Sequence, residues 1–492
     1  MYNDFFSVVH PIEKQLHVEA NRIEFASHYS EMLWISSDQA ILLEQERDKL
    51  LKELLGRGGT PGYNNTKLDC QKLSPGCELC AQGQWSCLFV NNKCNATCFY
   101  CPAPQEELCE PSTETFTFSE VEDYIHYLEL FGFKGCSLSG GEPFLSFDRS
   151  LLFVRRIREY FGDKMYIWMY TNGLLVTTEK LKELAEAGLD ELRFDIGATS
   201  FQTRYLRVAR GIIPRITVEI PAVPGCLEKL KPILHELDDL GLDHLNLHQL
   251  RCTPHNLPRL MNRGFVFMHG PKVLVAGSEV EAFRIMKYVQ ENGFRFKVNY
   301  CSFVYKNSHQ NKAARMRGQE HFLQEGETIT RAGFIKSMSL QEQPGVLEQI
   351  HVDLHRKYPS DTLKWRWQRG SDTLYFHPSL SEEMKEMSSK LYVSYFSTAL
   401  RPSVSYRNPF RQIPFEGSQK IIIERNCIMR NFLLVNDQMP LFANLDHAEC
   451  EQEFLVYLTD FAKTHNLPDE QVRHWIRIKE FEFMKTGFQP YY

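Results

Sequence analysis

The chain lacks any apolar run approaching the roughly 20 residues that a membrane-spanning helix needs, so no membrane segment is expected in its 492 residues. It also lacks an excess of positive charge. A formal net charge of −6 gives no broad electropositive face for a nucleic-acid backbone. The two locally basic stretches, RLMNRGFVF and QNKAARMRGQEHF, read as solvated helical faces. The first residues, MYNDFFSVVHPIEKQLHVEA, lack the positive-then-apolar layout of an export signal. The expectation is a cytoplasmic protein without membrane or nucleic-acid partners. Repeats and low-complexity segments are missing too, and beyond Cys301 only Cys427 and Cys450 occur.

Elsewhere cysteine is crowded. Fourteen cysteines in a chain this long do not suggest a secreted disulfide scaffold, because such scaffolds are small. Eight of them, Cys70, Cys77, Cys80, Cys87, Cys94, Cys98, Cys101 and Cys109, fall within 40 residues, and clustering of that kind points to metal. Hydrophobic residues at 43% and charged residues at 24% describe a globular protein, and the length exceeds what one core supports.

Along the chain, SSDQAILLEQERDKLLKELLGRGG has helical spacing, with Ser36 or Ser37 as a start signal and Gly56 and Gly58 as a stop. Short β-branched and aromatic runs follow at 85–90, 134–138, 164–170, 191–196, 214–220, 244–250, 271–276 and 294–300. Most of the intervals are helical in pattern, and Ser119 with Glu122 offers a capping box. Strand–helix alternation predicts an α/β fold of parallel strands with helices outside. Eight runs suggest a complete (β/α)₈ TIM-like barrel, or a six-stranded partial barrel with two strands appended; both put chemistry at the C-terminal strand ends. After about residue 310 the rhythm breaks, with residues 345–378 strand-rich and 453–485 helical. Three domains are expected: an N-terminal helical cap and cysteine-rich segment over 1–82, the barrel over 83–310, and an α+β domain over 311–492.

Cys94, Cys98 and Cys101 lie in NNKCNATCFYCPAP, directly after the first run. Three thiolates are one short of a closed tetrahedral site, so they can hold three irons of a [4Fe–4S] cluster and leave the fourth open. Cys70, Cys77, Cys80 and Cys87, spaced x6, x2, x6, form a second set; Cys77-x2-Cys80 is a metal knuckle for zinc or an auxiliary iron–sulfur cluster. Cys87 sits inside the first strand, which pulls against that set. Cys109 and Cys301 read as buried and inert. His244 and His248 share one strand face and read as hydrogen-bonded core histidines ahead of substrate contacts.

The C-x3-C-x2-C spacing with Tyr100 before the last cysteine, SGGEP at Ser139 to Pro143, YTNG at Tyr170 to Gly173 and VEIPAVPG at Val218 to Gly225 together resemble the radical S-adenosylmethionine (radical SAM) superfamily, over roughly residues 84–305. Within it the chain is similar to the branch related to pyruvate formate-lyase activating enzymes. The resemblance implies a [4Fe–4S] cluster and S-adenosylmethionine as cofactors, cleavage to methionine and a 5′-deoxyadenosyl radical, and hydrogen abstraction from an unidentified small-molecule, peptide or protein substrate. A flavodoxin or ferredoxin would supply electrons. It also implies that Gly140 and Gly141 let backbone approach the methionine amino group, that Glu142 is the nearby acid, and that Tyr100 flanks the adenine. Asn172 would face the ribose, Asp195 contact the cofactor, and Pro221 belong to the adenine pocket. Two alternatives stand beside this: a glycyl-radical-enzyme activase acting on a partner protein, and a non-catalytic iron–sulfur or zinc scaffold.

Overall fold

The computed structural model describes residues 9–70, 72–388, 390–415 and 420–492; the side chain of Cys70 lies outside the described residues. The chain divides into two compact units. One runs to Gln310 and also holds Thr486–Tyr492, and the other spans Asn311–Pro414 and Gln419–Lys485.

In the first unit, helices α1 (Pro11–Phe25) and α2 (Ser37–Gly56) precede the sheet. Ser36 caps α2 through a capping box with Gln39, which satisfies two orphan N-terminal donors. A short strand β1 (Lys67–Cys70) and helix α3 (Pro75–Ala81) follow. Seven parallel strands come next: β2 (Trp85–Lys93), β3 (Gly135–Gly140), β4 (Tyr166–Thr171), β5 (Glu191–Phe194), β6 (Arg215–Pro221), β7 (His244–His248) and β8 (Lys297–Cys301). They pair in sequence order, β2 to β8. Each crossover carries a helix, as a parallel connection requires. Leu88, Val90, Leu138, Met169, Leu192, Val218 and Leu245 are at most 0% exposed along these strands, so both faces of the sheet are covered.

The sheet is open. The outer edge of β8 is taken by β1, antiparallel, and that of β2 by Glu106–Glu107 and Ser112–Thr113, also antiparallel. The two ends therefore have no free edge with which to close, and the complete TIM-like (β/α)₈ barrel does not form. The predicted strand at 271–276 is the reason for the surplus count. Only Leu274–Val275 is extended, paired with Phe267–Met268 in a separate two-stranded hairpin, because the segment sits inside the β7–β8 crossover. The capping box at Ser119 and Glu122 is also missing: the helix starts at Val121 with Glu120 as an uncapped N-cap.

The second unit is an antiparallel sheet in the order Trp365–Trp367, Thr373–Phe376, Ile335–Gln341, Leu391–Arg401, Ile421–Leu434, Phe410–Ile413, with helices Pro344–Lys357, Glu451–His465 and Asp469–Glu482. The helix over 344–357 replaces part of the predicted strand-rich segment. Its Leu347, Ile350 and Leu354 are buried at helical spacing. Among the described residues no helix is long and apolar enough to cross a membrane.

Candidate functional site

Parallel strands end on one side, and the first unit gathers its chemistry there. A cavity of about 500 Å³ opens over the strand ends. It is lined by Cys94, Cys98 and Cys101 after β2, Gly140, Gly141 and Glu142 after β3, Asn172 after β4, Asp195 after β5, Pro221 on β6, His248 on β7, and Cys301 on β8, with Tyr100 beside the cysteines. All ten residues singled out for the cluster and its ligand share this wall.

The cysteine loop is held from several sides. Cys94 N donates to Gln105 O (3.2 Å) and Cys101 N to Cys98 O (3.1 Å). Arg259 donates to Cys98 O (3.1 Å), Asn256 to Tyr100 O (3.1 Å) and Thr253 to Pro102 O (2.8 Å). Arg263 stacks over Phe99, 4.0 Å from the ring centre. The basic stretch RLMNRGFVF thus clamps the loop, a role that its charge pattern alone does not reveal. Burial pushes the Cys98 thiol up to about 12, with Asp195 adding to the effect, and burial raises Cys94 as well. Such thiols give up their protons to a metal rather than to water.

Gly140 and Gly141 serve the backbone. Gly141 N donates to Asn91 O (2.9 Å) and Glu142 N to Lys93 O (2.8 Å). A Cβ at Gly140 would strike Asn91 O, and one at Gly141 would strike Lys93 O. The glycine pair therefore lets the end of β3 lie against the end of β2, next to Cys94. Glu142, 1% exposed, accepts from Asn172 N (2.7 Å), Thr171 Oγ1 (2.9 Å) and Phe144 N (3.0 Å). Burial raises its carboxyl to about 7 against those three donors. It ties the ends of β3 and β4 together.

Tyr100 donates to both carboxylate oxygens of Asp195 (2.8 and 2.9 Å), which also accepts from Gly197 N (3.0 Å). Burial lifts Asp195 to about 6 despite these bonds. Asn172 faces the cysteine loop: its amide donates to Asn95 Oδ1 (2.7 Å) and lies 3.7 Å from Cys94 Sγ, and its oxygen accepts from Leu174 N (3.0 Å). Its side chain thus joins the turn after β4 to the cysteine loop at the cavity wall.

The opposite wall joins His248 and Cys301 to Arg193 and Glu219, which the sequence did not single out. Arg193 bridges Glu191 Oε1 (2.9 Å), Glu219 Oε2 (2.9 Å) and Ser74 Oγ (3.1 Å). His248 Nε2 lies 2.5 Å from Glu219 Oε1. Burial would raise the Glu219 carboxyl, but His248 and Arg193 hold it well below the usual range. His248 thus belongs to the cavity, whereas His244 is buried and burial lowers it to about 4. Cys301 is buried, as expected, but beside a cation. Burial pushes its thiol up, but Lys67, whose ammonium donates to it at 2.8 Å, together with His248 brings it down to about 6.

The second cysteine set splits. Cys77 and Cys80, on α3, line a smaller cavity of about 90 Å³ together with Cys301. Cys87, within β2, sits against Ser137 and Ser139 with burial raising it to about 11, and it does not line that cavity. Cys109 is half-buried outside both cavities.

The model of the Radical SAM superfamily matches residues 88–221, the stretch that carries the cysteine loop, the glycine pair, Asn172, Asp195 and Pro221. Over those residues the chain is similar to the radical SAM superfamily. The chain is 27% identical over 302 residues, 57% of its own length and 79% of the other's, to a candidate glycyl-radical enzyme activating enzyme of Methanocaldococcus jannaschii. It is 26% identical over 237 residues to a GTP 3′,8-cyclase of Clostridium perfringens, covering 44% of this chain and 71% of that one. Among solved structures, Streptococcus suis SuiB matches with a TM-score of 0.33 at 11% identity, over 59% of this chain and 62% of that one. The methyltransferase TsrM of Kitasatospora setae, bound to cobalamin and a [4Fe–4S] cluster, matches with a TM-score of 0.29 at 17% identity, over 47% of this chain and 53% of that one. The chain thus spans between half and two thirds of these solved relatives.

Proposed function

We propose that the large cavity is the active site of a radical S-adenosylmethionine enzyme. Cys94, Cys98 and Cys101 would hold a [4Fe–4S] cluster with one iron open, and S-adenosylmethionine would lie between them and the glycine pair. Bound together, the two supply a 5′-deoxyadenosyl radical able to take a hydrogen atom from substrate. The observation that carries the reading is convergence: ten residues from five separate stretches line one cavity. Its volume of about 500 Å³ lies within the range that encloses small ligands, and its three thiols, none in a disulfide, suit an iron cluster.

The chain's own residues then have distinct tasks. Asp195 fixes the Tyr100 ring beside the cysteines, and Glu142 locks two strand ends so that the glycine pair keeps its distance from Cys94. Arg259 and Asn256 hold the cysteine loop rigid through its carbonyls. On the far wall, the His248–Glu219 pair and Arg193 present fixed charges to whatever substrate enters. A flavodoxin or ferredoxin is the electron donor in this reading.

The test is anaerobic reconstitution with iron and sulfide, followed by dithionite and S-adenosylmethionine. Formation of 5′-deoxyadenosine, lost in Cys94→Ala, supports the reading; an intact cluster without 5′-deoxyadenosine, or zinc at these cysteines, overturns it. Similarity to the Methanocaldococcus protein favours a second, narrower reading in which the hydrogen comes from a glycine of a partner protein. A glycyl radical seen by electron paramagnetic resonance in such a partner would establish that form.

A further inference from the structure

The smaller cavity behind the active-site wall has its own chemistry. We propose that Cys77, Cys80 and Cys301 hold a second iron–sulfur cluster there. The proposal does not depend on the reading of the first cluster, since none of these three cysteines belongs to the loop at 94–101.

Two elements distant in sequence bring the thiols together. Helix α3 contributes Cys77 and Cys80, and its orientation is set by Ser74, which accepts from Cys77 N (3.3 Å) and from Arg193 (3.1 Å). The end of β8 contributes Cys301. Donors reach all three sulfurs: Lys67 Nζ meets Cys301 (2.8 Å), which also bonds His248, Gln310 Nε2 meets Cys80 (3.2 Å), and Asn246 Nδ2, which also donates to Glu219 Oε2 (3.1 Å), lies 3.5 Å from Cys77. A neutral thiol is a weak acceptor. Donors reaching three sulfurs, those of Cys77 and Cys301 buried and that of Cys80 half-buried, suit metal-bound thiolates, whose potential such bonds tune.

Charge points the same way. Lys67 is 1% exposed and its ammonium bonds Asn299 Oδ1 (2.6 Å) and Cys301 Sγ; among the described residues it pairs with no carboxylate. A buried cation is costly unless a counter-charge sits beside it, and the Cys301 sulfur, as a thiolate, is the group placed to supply one. A cubane core of two positive charges held by three thiolates leaves one negative charge, which Lys67 matches.

Size separates a cluster from a single ion. In a tetrahedral zinc site, metal–sulfur bonds of about 2.3 Å put the sulfurs under about 4 Å apart. Among the described residues, no three cysteine sulfurs all come within 4.8 Å of one another. The cavity they line together with Lys67, Trp168, Tyr305 and other side chains, about 90 Å³, exceeds several times the roughly 10–15 Å³ that one water occupies by such a measure. Cys301 and His248 line both cavities, so this centre would stand directly behind the substrate wall.

The experiment is iron and acid-labile sulfide analysis of anaerobically reconstituted full-length variants. Cys94→Ala/Cys98→Ala/Cys101→Ala should retain about four irons and about four sulfides per chain. Adding Cys77→Ser and Cys301→Ser should bring both to under about a tenth of that, with far-ultraviolet circular dichroism unchanged. No iron in the triple variant, iron that survives the added substitutions, or zinc in its place overturns the proposal. Should the combined variant misfold, Lys67→Met in the otherwise native chain decides. Iron content should stay the same while one of two reduction potentials moves to a more negative value. Two unmoved potentials, or a single centre, overturn it. Failure here leaves the first cluster untouched, because 5′-deoxyadenosine formation is read separately.

Discussion

Tyr100 and Asp195 form the contact on which the inner face of the cysteine loop depends. With Tyr100→Phe, the buried carboxylate keeps Gly197 N but loses its hydroxyl donor, and an unmet buried acceptor costs about 1–3 kcal/mol. Urea unfolding should register that loss, and S-adenosylmethionine affinity should fall with it. Glu142 supports a prediction in pH. Its carboxyl is raised from 4.5 to about 7 by burial, so ionising it in the folded protein costs about 3 kcal/mol. A raised folded value means that the stability is present below about pH 4.5 and is lost as pH rises through about 7. The melting temperature of the metal-free protein should therefore slope downward across that window, and Glu142→Gln should flatten the slope; an unchanged slope would refute the assignment. The cysteine trio was legible in the sequence because its spacing is local, and a short loop leaves its three thiols few places to go. Cys301 and Lys67 were not, because 234 residues separate them and only the antiparallel pairing of β1 with β8 joins them. Asn172 was legible only as a turn residue: Thr-Asn-Gly marks its turn, but the turn does not say that the amide will meet Asn95.

The junction of β2 and β3 shows how one element constrains another. Gly140 has a φ of 115°, a region that favours glycine, and Gly141 has no room for a methyl group beside Lys93 O. Gly141→Ala must therefore push the end of β3 away from the strand that delivers Cys94. Overpacking of this kind costs about 1–3 kcal/mol. The more specific expectation is that iron content after reconstitution falls severalfold while far-ultraviolet circular dichroism is retained; full iron loading would show that the contact is slack. Seven of the eight predicted strand runs are strands of the parallel sheet, because buried parallel strands announce themselves as short apolar runs. The run at 271–276 has the same composition, yet it pairs locally within a crossover, and composition cannot distinguish the two. Residues 345–357 were misread because Val346, Ile350 and Val352 are β-branched, whereas the buried positions Leu347, Ile350 and Leu354 follow the helical period.

At the scale of the whole molecule, the chain leaves the first unit after Gln310 and re-enters it at Thr486. No local pattern in the sequence signals such a return. Phe488 is fully buried and meets the rings of Phe283 and Tyr300 at 5.3 and 6.1 Å. Gln489 O accepts from Arg47 Nη1 at 2.8 Å, and the Arg47 guanidinium lies 5.1 Å from the centre of the Tyr491 ring. Arg47 also pairs with Glu279 at 3.4 Å, both side chains being 2% exposed. Burial raises the Glu279 carboxyl to about 7 against the opposing pull of Arg47. The last residues thus complete the solvation of a buried charge and fill a ring-lined gap beneath β8, the strand that carries Cys301. Phe488→Ala should cost about 3–5 kcal/mol by the cavity it leaves. Truncation after Lys485 should cost more, because Arg47 then loses its carbonyl and its aromatic cover, and an incompletely paired buried charge is itself worth about 3–5 kcal/mol. Those sums approach the whole stability of a typical domain, about 5–15 kcal/mol, so the truncated protein should lose the cooperative melting of its first unit and with it the ability to hold iron. If it melts as the full chain does and loads iron normally, the return of the chain is decoration rather than part of the core.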